Sequence, residues 1–308
     1  MSAPFKFDLE AATPLGKETP TPGDLAIVPR NRRFCRGDKP DRWWMNGDPV
    51  ATAWHNGLSV SFPIGEAFFI EHVKANRDGV PPQLETEIRA FVKQEINHTR
   101  EHVAFNRAVA HAGYDISGIE ERLSGKLAIS RERPSIVNLG ASMALEHLTA
   151  LIARHTLTHA DHYRGARGEA GQMWRWHMVE EIEHKGVAYD TWLHATRDWS
   201  RWKRWKVKSL VMLIAGRNFV TGRIGDALDL MEQDGLAGWR SKWRLANYLV
   251  VYPGVLRKIA PAAFGFFLPG FHPWNRDDRA LIALYDSEFI DAVLAESIDP
   301  ANAEGQSA

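Results

Sequence analysis

The sequence is poor in cysteine and has no excess of charge of either sign. Its 308 residues include one cysteine, Cys35, which excludes an internal disulfide, a zinc ribbon and a cysteine-ligated iron–sulfur cluster. Lysine and arginine together number 38, as do aspartate and glutamate. The chain therefore lacks the basic surplus of a general nucleic-acid coat, and we expect no nucleic acid among its partners.

The chain also lacks an obvious exported or membrane-spanning segment. Its first residues, MSAPFKFDLEAATPLG, have no apolar core of the kind that a signal peptide needs. Lys208 and Arg217 bracket the apolar stretch LVMLIAG, and prolines interrupt the apolar stretches that follow it. We therefore expect no apolar run long enough to cross a membrane, and a cytoplasmic location.

Helical periodicity dominates the part of the sequence between residues 48 and 198. It predicts long helices near 49–77, 82–112, 135–161 and 170–197, and a shorter one at 115–127. The links within each pair of long helices are short, whereas the link from 113 to 134 is long enough to cross a bundle. Two helical hairpins joined by one crossover are typical of the ferritin-like four-helix bundle, so the predicted fold class is all-α.

The remaining segments are interpreted as additions to this bundle. Residues 1–47 show no helical period and are expected to form an extended arm, anchored by Trp43 and Trp44, with its arginines in solvent. Residues 199–299 are expected to form a C-terminal helical extension packed on the bundle, and residues 300–308 a disordered tail.

Ionisable residues occupy the middle of every predicted bundle helix, at positions that the apolar alternation would bury. They are Glu66 on the first long helix, Glu95, His98 and His102 on the second, Glu146 on the third, and His177, Glu181 and His184 on the fourth. Burying an unpaired carboxylate costs several kcal/mol, so such groups are expected to be paired or to bind metal. The alternative is a buried salt-bridge network, but these positions supply no lysine or arginine to neutralise the carboxylates.

The spacing of these residues favours a binuclear metal site. Glu95–His98 and Glu181–His184 are Glu-x-x-His pairs, and residues three apart share one face of a helix. One such pair from each of two helices, with one Glu from each of the other two, is the ligand set of di-iron and di-manganese bundles. We expect two metal ions, iron first and manganese or zinc as alternatives, with Glu66 and Glu146 bridging or capping them.

Other histidines and acids near these positions are less decisive. His102 and His177 also face inward, and each is either an additional ligand or a hydrogen-bonded core histidine. Glu180, Glu183 and His147 lie off the predicted buried positions and are not expected to be ligands. His155, His159 and His162 have no neighbouring carboxylate and are interpreted as structural or solvated.

Several strings of the sequence resemble one family of bacterial proteins. WHNGLSVSFPIGEAFF, FVKQEINHTREH, ALEHLTA, WRWHMVEEIEHKGVAYD and PGFHPW are similar to the predicted metal-dependent hydrolases that are grouped with ferritin-like folds. The similarity spans roughly residues 25 to 290. It implies a metal site formed by Glu66, Glu95, His98, Glu146, Glu181 and His184, with His102 and His177 as additions.

Three functions compete for such a site. The favoured one is an O₂-dependent di-iron oxygenase or oxidase, which would act on an apolar or amphipathic small molecule and would need an electron donor. The alternative is a hydrolase that lowers the pKa of a metal-bound water to about 7 and uses the hydroxide. A metal-storage role ranks last, because the tryptophan-rich C-terminal third has no obvious place in a storage shell. A homodimer is compatible with the sequence.

The segment at 199–216 combines tryptophans with basic residues. In RDWSRWKRWKVK, Trp199, Trp202 and Trp205 recur every three residues among lysines and arginines. Such a helix either lies in an anionic membrane interface, at the inner face of the membrane, or packs its tryptophans on the bundle. We favour the packed arrangement.

Overall fold

The computed structural model of the chain describes residues 21–34, 41–159 and 161–287. Cys35 and the predicted tail at 300–308 lie outside the described residues. The helices are α1 (Pro49–Ala75), α2 (Pro82–His111), α3 (Ser117–Arg131), α4 (Ser135–Leu157), α5 (Ala170–His184), α6 (Val187–Ala195), α7 (Arg201–Gln233), α8 (Gly238–Ala246) and α9 (Val255–Gly265). Residues 279–287 are also helical, and no strand occurs in these ranges. The predicted all-α class is confirmed.

Four helical columns close into a ring around the centre of the molecule. The columns are α1, α2, α4 and the consecutive helices α5 and α6, and each column contacts its two neighbours in the ring. Ser59 pairs with Asn106 and Glu66 with Thr99, so α1 and α2 run antiparallel. The crossover between the two hairpins contains α3, which packs on α1 and α4. The chain therefore follows the predicted order of hairpin, crossover and hairpin.

The last long helix is interrupted, which the sequence analysis did not predict. A single helix was expected over 170–197, but α5 ends at His184 and α6 begins at Val187. Trp274 packs against the break so closely that a Cβ on Gly186 would lie 2.9 Å from the indole Cδ1. The neighbouring Lys185 reaches Asp278 at 2.7 Å and lies 4.0 Å from the Trp274 ring. Contacts from a distant segment of the chain therefore surround the break.

Helix α4 corrects the expectation that no segment is long and apolar enough to span a membrane. Ser135–Leu157 meets that criterion by length and composition, but 72% of its 18-residue window is buried inside the protein. It is packed by α1, α5, α6, α7 and α9. A helix that is apolar all round is typical of a buried position at the centre of a larger bundle.

The segments outside the ring pack on it from two sides. From the arm, Trp44 is buried and donates its indole N–H to Asn56 at 2.9 Å, whereas Trp43 is 43% exposed. On the opposite end of the chain, α7 lies against α1 and α4, and α9 lies against α4. The arginines of the arm were expected in solvent; for Arg30 this is wrong, because its side chain is only 11% exposed and pairs with acids of α5.

Candidate metal centre

Every residue predicted to bind metal lies inside the ring of helices. The set is Glu66, Glu95, His98, His102, Glu146, His177, Glu181 and His184, and none of them is more than 3% exposed. They project from α1, α2, α4 and α5 towards one another because each occupies the inward face of its own helix. Their ion pairs are with one another or with Glu180, and none involves lysine or arginine among the described residues.

The cluster divides into two overlapping groups of ligand atoms. On one side, ligand atoms of Glu66, Glu95 and His98 lie within 4.8 Å of one another, as do those of His98, His177 and Glu181. On the other side the same holds for Glu95, Glu181 and His184, and Glu146 Oε2 lies 3.4 Å from His184 Nε2. Glu95 and Glu181 have ligand atoms on both sides.

Unpaired polar atoms are concentrated at this point. Eight buried ligand atoms have no hydrogen-bond partner among the described residues: Glu66 Oε1, both oxygens of Glu95, His98 Nδ1, both oxygens of Glu146, Glu181 Oε2 and His184 Nε2. Buried polar atoms normally find partners, because leaving one unpaired costs about 1–3 kcal/mol. Carboxylate oxygens and imidazole nitrogens are ligands for Mn, Fe or Zn ions, so the residues present fit a metal centre.

The electrostatics show how strongly the cluster attracts positive charge. Burial, reinforced by Glu95, raises the pKa of Glu66 well above its usual range, and burial raises that of Glu146 to about 8. Burial alone would lower the pKa of His98, but the hydrogen bond to Glu180 and the negative charge of Glu95 outweigh it and raise the pKa to about 10. Without metal, the cluster therefore retains protons at carboxyl and imidazole groups, and cations can replace that charge.

Two of the histidines are oriented by groups outside the cluster. His98 donates from Nε2 to Glu180 at 2.9 Å, which leaves its unpaired Nδ1 facing Glu95. Gln94 donates from Nε2 to Glu183, so its Oε1 accepts a hydrogen bond from His184 Nδ1 at 2.9 Å. His184 Nε2 then faces the cluster. In both rings the outer hydrogen bond fixes which nitrogen is free to bind metal.

The orientation of the third histidine begins with a proline in α1. Pro63 has no backbone N–H, so the Ser59 carbonyl four residues earlier receives no helical hydrogen bond. Asn106 of α2 supplies a donor instead, because its Nδ2 lies 3.2 Å from that oxygen. The Asn106 Oδ1 is then an acceptor, and the Ser59 hydroxyl donates to it at 2.6 Å.

This network determines the protonation of His102 and His177. The Ser59 hydroxyl has one hydrogen, so its 2.8 Å contact with His102 Nδ1 requires the hydrogen of that ring nitrogen. Burial, together with neighbouring imidazoles, lowers the pKa of His102 well below its usual range, so its Nε2 is an acceptor. It accepts from His177 Nδ1 at 2.6 Å. A neutral His177 then has its Nε2 lone pair available for a metal ion, 2.9 Å from Glu181 Oε1; without metal, a proton on Nε2 would form the hydrogen bond between these two atoms.

The two histidines left open by the sequence thus differ in their contacts. Both ring nitrogens of His102 are used, one by Ser59 and one by His177. His177 has one nitrogen directed at the carboxylates, 3.9 Å from Glu66 Oε1 and 2.9 Å from Glu181 Oε1. We therefore expect His177 to be a ligand and His102 to position it.

Replacing Ser59 with alanine should weaken one half of the centre. The change removes the acceptor for His102 Nδ1–H, so the His102 proton can move to Nε2 and be donated to His177 Nδ1. His177 would then carry its own proton on Nε2, the nitrogen that faces the cluster, and could not bind metal there. Loss of such an orienting partner typically lowers metal affinity 10–100-fold. Calorimetric metal titration should show one weakened site per chain, and ¹⁵N NMR of the imidazoles should show the tautomer change.

Ser61 supplies the matched control for this experiment. It is buried on the same helix, but its hydroxyl donates to the Leu58 carbonyl at 2.7 Å and touches no histidine. Ser61→Ala should leave both affinities unchanged. Equal metal affinities in Ser59→Ala and wild type would contradict the role of His102 in positioning His177.

The arm contributes residues that the sequence analysis missed. Glu180 and Glu183 were expected off the buried positions, which is wrong: both are buried, and backbone groups of residues 28–30 donate hydrogen bonds to them. The backbone N–H of Val28 donates to Glu183 at 3.0 Å and that of Arg30 to Glu180 at 2.7 Å. The Arg30 guanidinium reaches Glu183 at 2.7 Å. The sequence signal for this contact was the group of acids in EEIEH together with an arginine in an arm that has no helical period.

Other histidines lie away from the centre. His147 packs between Phe266 and Phe271, outside the cluster. His155 is buried, His159 is exposed, and His162 lies 3.4 Å from His55. Within the described ranges, every group of three or more metal-type ligands belongs to the central cluster.

Comparison with known proteins agrees with this geometry. A family profile described as predicted metal-dependent hydrolase matches residues 28–277, a span that begins in the arm and includes every residue of the cluster. No curated protein and no solved structure matches the chain, so the ferritin-like relationship stays a prediction. Since the profile covers well over half of its length, the chain belongs to the family of predicted metal-dependent hydrolases.

Proposed function

We propose that this protein is a metal-dependent hydrolase with a binuclear centre in its helical bundle. The observation that carries the proposal is the concentration of eight unpaired, buried ligand atoms at one point. The family description supports hydrolysis over the oxidative chemistry that the sequence analysis favoured. The metal set is taken to be Glu66, Glu95, His98, Glu146, His177, Glu181 and His184.

The overlap of the two groups suggests a role for each ligand. Glu95 and Glu181, which belong to both groups, would contribute to holding both ions, and Glu66 and Glu146 would each contribute on one side. His98 and His177 would serve the ion beside Glu66, and His184 the ion beside Glu146. In this arrangement Glu66 and Glu146 would cap the ions, which is one of the two roles that the sequence predicts for them.

The residues around the centre would control its water and protons. A metal pair bound there supplies Lewis acidity and can lower the pKa of a coordinated water towards about 7. Thr99 donates to Glu66 Oε2 at 2.8 Å and directs the other oxygen inwards. The low exposure of every ligand strengthens electrostatic interactions inside the site.

Oxygen-dependent chemistry is the second candidate, on the strength of the aromatic wall. Phe62 lies 4.8 Å from His177, Phe91 lies 5.0 Å from His184 and Trp176 lies 5.0 Å from His98, measured between ring centroids. An aromatic ring at each metal-facing imidazole would keep bulk water from an oxidising centre. In that case iron, an electron donor and an apolar substrate would be required.

One experiment separates the candidates. Protein purified without oxygen is analysed for metal content and then assayed against esters, amides and phosphoesters, with and without O₂ and reductant. Hydrolysis that needs no O₂, stops on chelation and returns with Zn²⁺ or Mn²⁺ supports the proposal. Turnover of an apolar substrate that requires O₂ and reductant supports the second candidate. Protein that binds no metal under any condition overturns both.

A further inference from the structure

Large apolar side chains that remain in water are concentrated in one part of the chain. Ten of the fifteen on the whole surface of the described residues lie between residues 202 and 264. They are Trp202, Leu210, Leu213, Ile214, Trp239, Trp243, Val250, Val251, Tyr252 and Phe264. Scattered exposed apolar residues are ordinary, but a concentration of them marks an interaction surface.

Positive charge is concentrated in the same part of the sequence. Residues 199–225 contain no acid and seven lysines and arginines, of which Arg204, Lys208 and Arg223 are buried, and residues 235–276 contain six and no acid. The chain as a whole is balanced at 38 of each sign, so the asymmetry is local. Lys203 and Lys206 are among the exposed basic residues of α7. A partner for this region should carry negative charge.

Four aromatic residues connect α7 with the end of α9, and we name them the aromatic ridge: Trp202, Trp205, Phe264 and Phe267. The Trp202 ring stacks on Trp205 with centroids 4.9 Å apart, and Trp205 donates its indole N–H to the Phe267 carbonyl at 2.7 Å. The Phe267 and Phe264 rings are 6.4 Å apart. Trp202 is 67% exposed and Phe264 70% exposed, so the ridge projects into solvent at both ends.

The ridge continues along one face of α7. Positions 202, 206, 210, 213 and 217 recur at helical spacing and are all exposed. Trp202 and Lys206 begin this face, Leu210 and Leu213 extend it, and Arg217 ends it. Trp199 packs on the bundle as predicted, with its ring centroid 6.2 Å from that of Trp192. Trp202 does not, because it is exposed.

We propose that this face of α7, with the aromatic ridge, binds the surface of a membrane that contains anionic lipids. Tryptophan and phenylalanine are stable at the level of the headgroups, where Lys203 and Lys206 can contact phosphates. A second copy of the chain is a poorer occupant, because a symmetric contact would bring two positive surfaces together. The proposal does not depend on the reaction at the metal centre.

The test uses the full-length, metal-loaded protein and sedimentation with lipid vesicles. Wild type should bind vesicles of phosphatidylcholine mixed with phosphatidylglycerol, and added salt should weaken that binding. Lys203→Gln combined with Lys206→Gln, and separately Trp202→Ser combined with Phe264→Ser, should each weaken it at least about tenfold. Ile129→Ser is the control, because Ile129 is 63% exposed on α3 and belongs neither to the ridge nor to the face of α7. Metal content and helicity should be unchanged in all variants.

Two outcomes would overturn the proposal. One is binding that is equal for pure phosphatidylcholine and anionic vesicles and insensitive to the ridge variants. The other is light scattering that shows a wild-type dimer, which Trp202→Ser with Phe264→Ser dissociates without changing vesicle binding. That result would assign the ridge to a subunit interface.

Discussion

Glu95→Gln should remove both metal ions from the protein while leaving its helices intact. Glu95 contributes ligand atoms to both sides of the cluster, beside Glu66 and His98 on one side and beside Glu181 and His184 on the other. Glutamine keeps the shape of the side chain but removes the negative charge and one of two anionic oxygens. Metal analysis should therefore fall from two ions per chain to none, whereas Glu146→Gln should lose only the ion next to His184.

Thermal stability provides a second readout of the same change. An ion present at 100 times its dissociation constant stabilises a protein by about 2.7 kcal/mol, and at roughly 2–4 °C per kcal/mol two ions raise Tm by roughly 10–20 °C. Chelation should lower the Tm of wild type by that amount and leave the Tm of Glu95→Gln unchanged. Without metal, the variant should be at least as stable as wild type, because it contains one buried carboxylate fewer.

Glu87→Gln is the matched control for this experiment. Glu87 is a buried carboxyl of the same helix, hydrogen-bonded to Gln83 at 2.9 Å and absent from the cluster. It should retain two ions and the chelation-dependent Tm. Full metal occupancy in Glu95→Gln would contradict the assignment of Glu95 as a shared ligand.

The cluster could be predicted from the sequence, because the spacing of apolar residues shows which positions of each helix face the inside of the bundle. Glu95, His98, Glu181 and His184 interrupt that alternation, and two Glu-x-x-His pairs at inward positions are typical of a binuclear site in a helical bundle. Pro63 also announced an irregularity in α1 near Glu66. The sequence did not predict that Asn106 would donate a hydrogen bond to the Ser59 carbonyl, which Pro63 leaves without a helical donor. Neither Ser59 nor Asn106 stands out from its neighbours in the sequence.

Contacts between distant segments account for the errors. Arg30 and Glu183 are 153 residues apart, so no local pattern connects them. The helical period of α5 places Glu183 outside the central seam, and periodicity alone equates that position with solvent. Here the arm covers it. The break between α5 and α6 has the same origin, because Trp274 packs there from a segment that follows α9.

Arg30→Met should cause a large loss of stability at a position outside the metal ligands. The Arg30 guanidinium lies 2.7 Å from Glu183 and 3.7 Å from Glu180, and both acids are buried. Removing one partner of a buried ion pair leaves the other charge uncompensated, at a cost of about 3–5 kcal/mol. Denaturant unfolding should show that loss. Arg33→Met, at a side chain 55% exposed in the same arm, should cost less than about 1 kcal/mol.

A double variant separates charge from packing. Arg30→Met combined with Glu183→Gln removes the uncompensated charge as well as the cation, so part of the lost stability should return. No recovery in the double variant would mean that the arm is held by its apolar and backbone contacts. The backbone N–H groups of Val28 and Arg30, which donate to the same two acids, are present in every variant.

The pH dependence of Arg30→Met follows from the same charges. Burial raises the pKa of Glu183 above its ordinary value, and the hydrogen bond from Arg30 opposes that rise. Without Arg30 the pKa rises further, so the folded variant binds a proton more readily than the unfolded chain does. Its stability, measured without metal, should therefore approach that of wild type as the pH falls towards the ordinary glutamate pKa of about 4.3. A deficit that stays constant over this range would show that the missing guanidinium acts through contacts other than charge.

Arg30→Met should also lower metal affinity, by about 10–100-fold. Glu180 is hydrogen-bonded to His98, and Glu183 is connected to His184 through Gln94. Through these bonds the arm should help to orient two of the histidines of the centre.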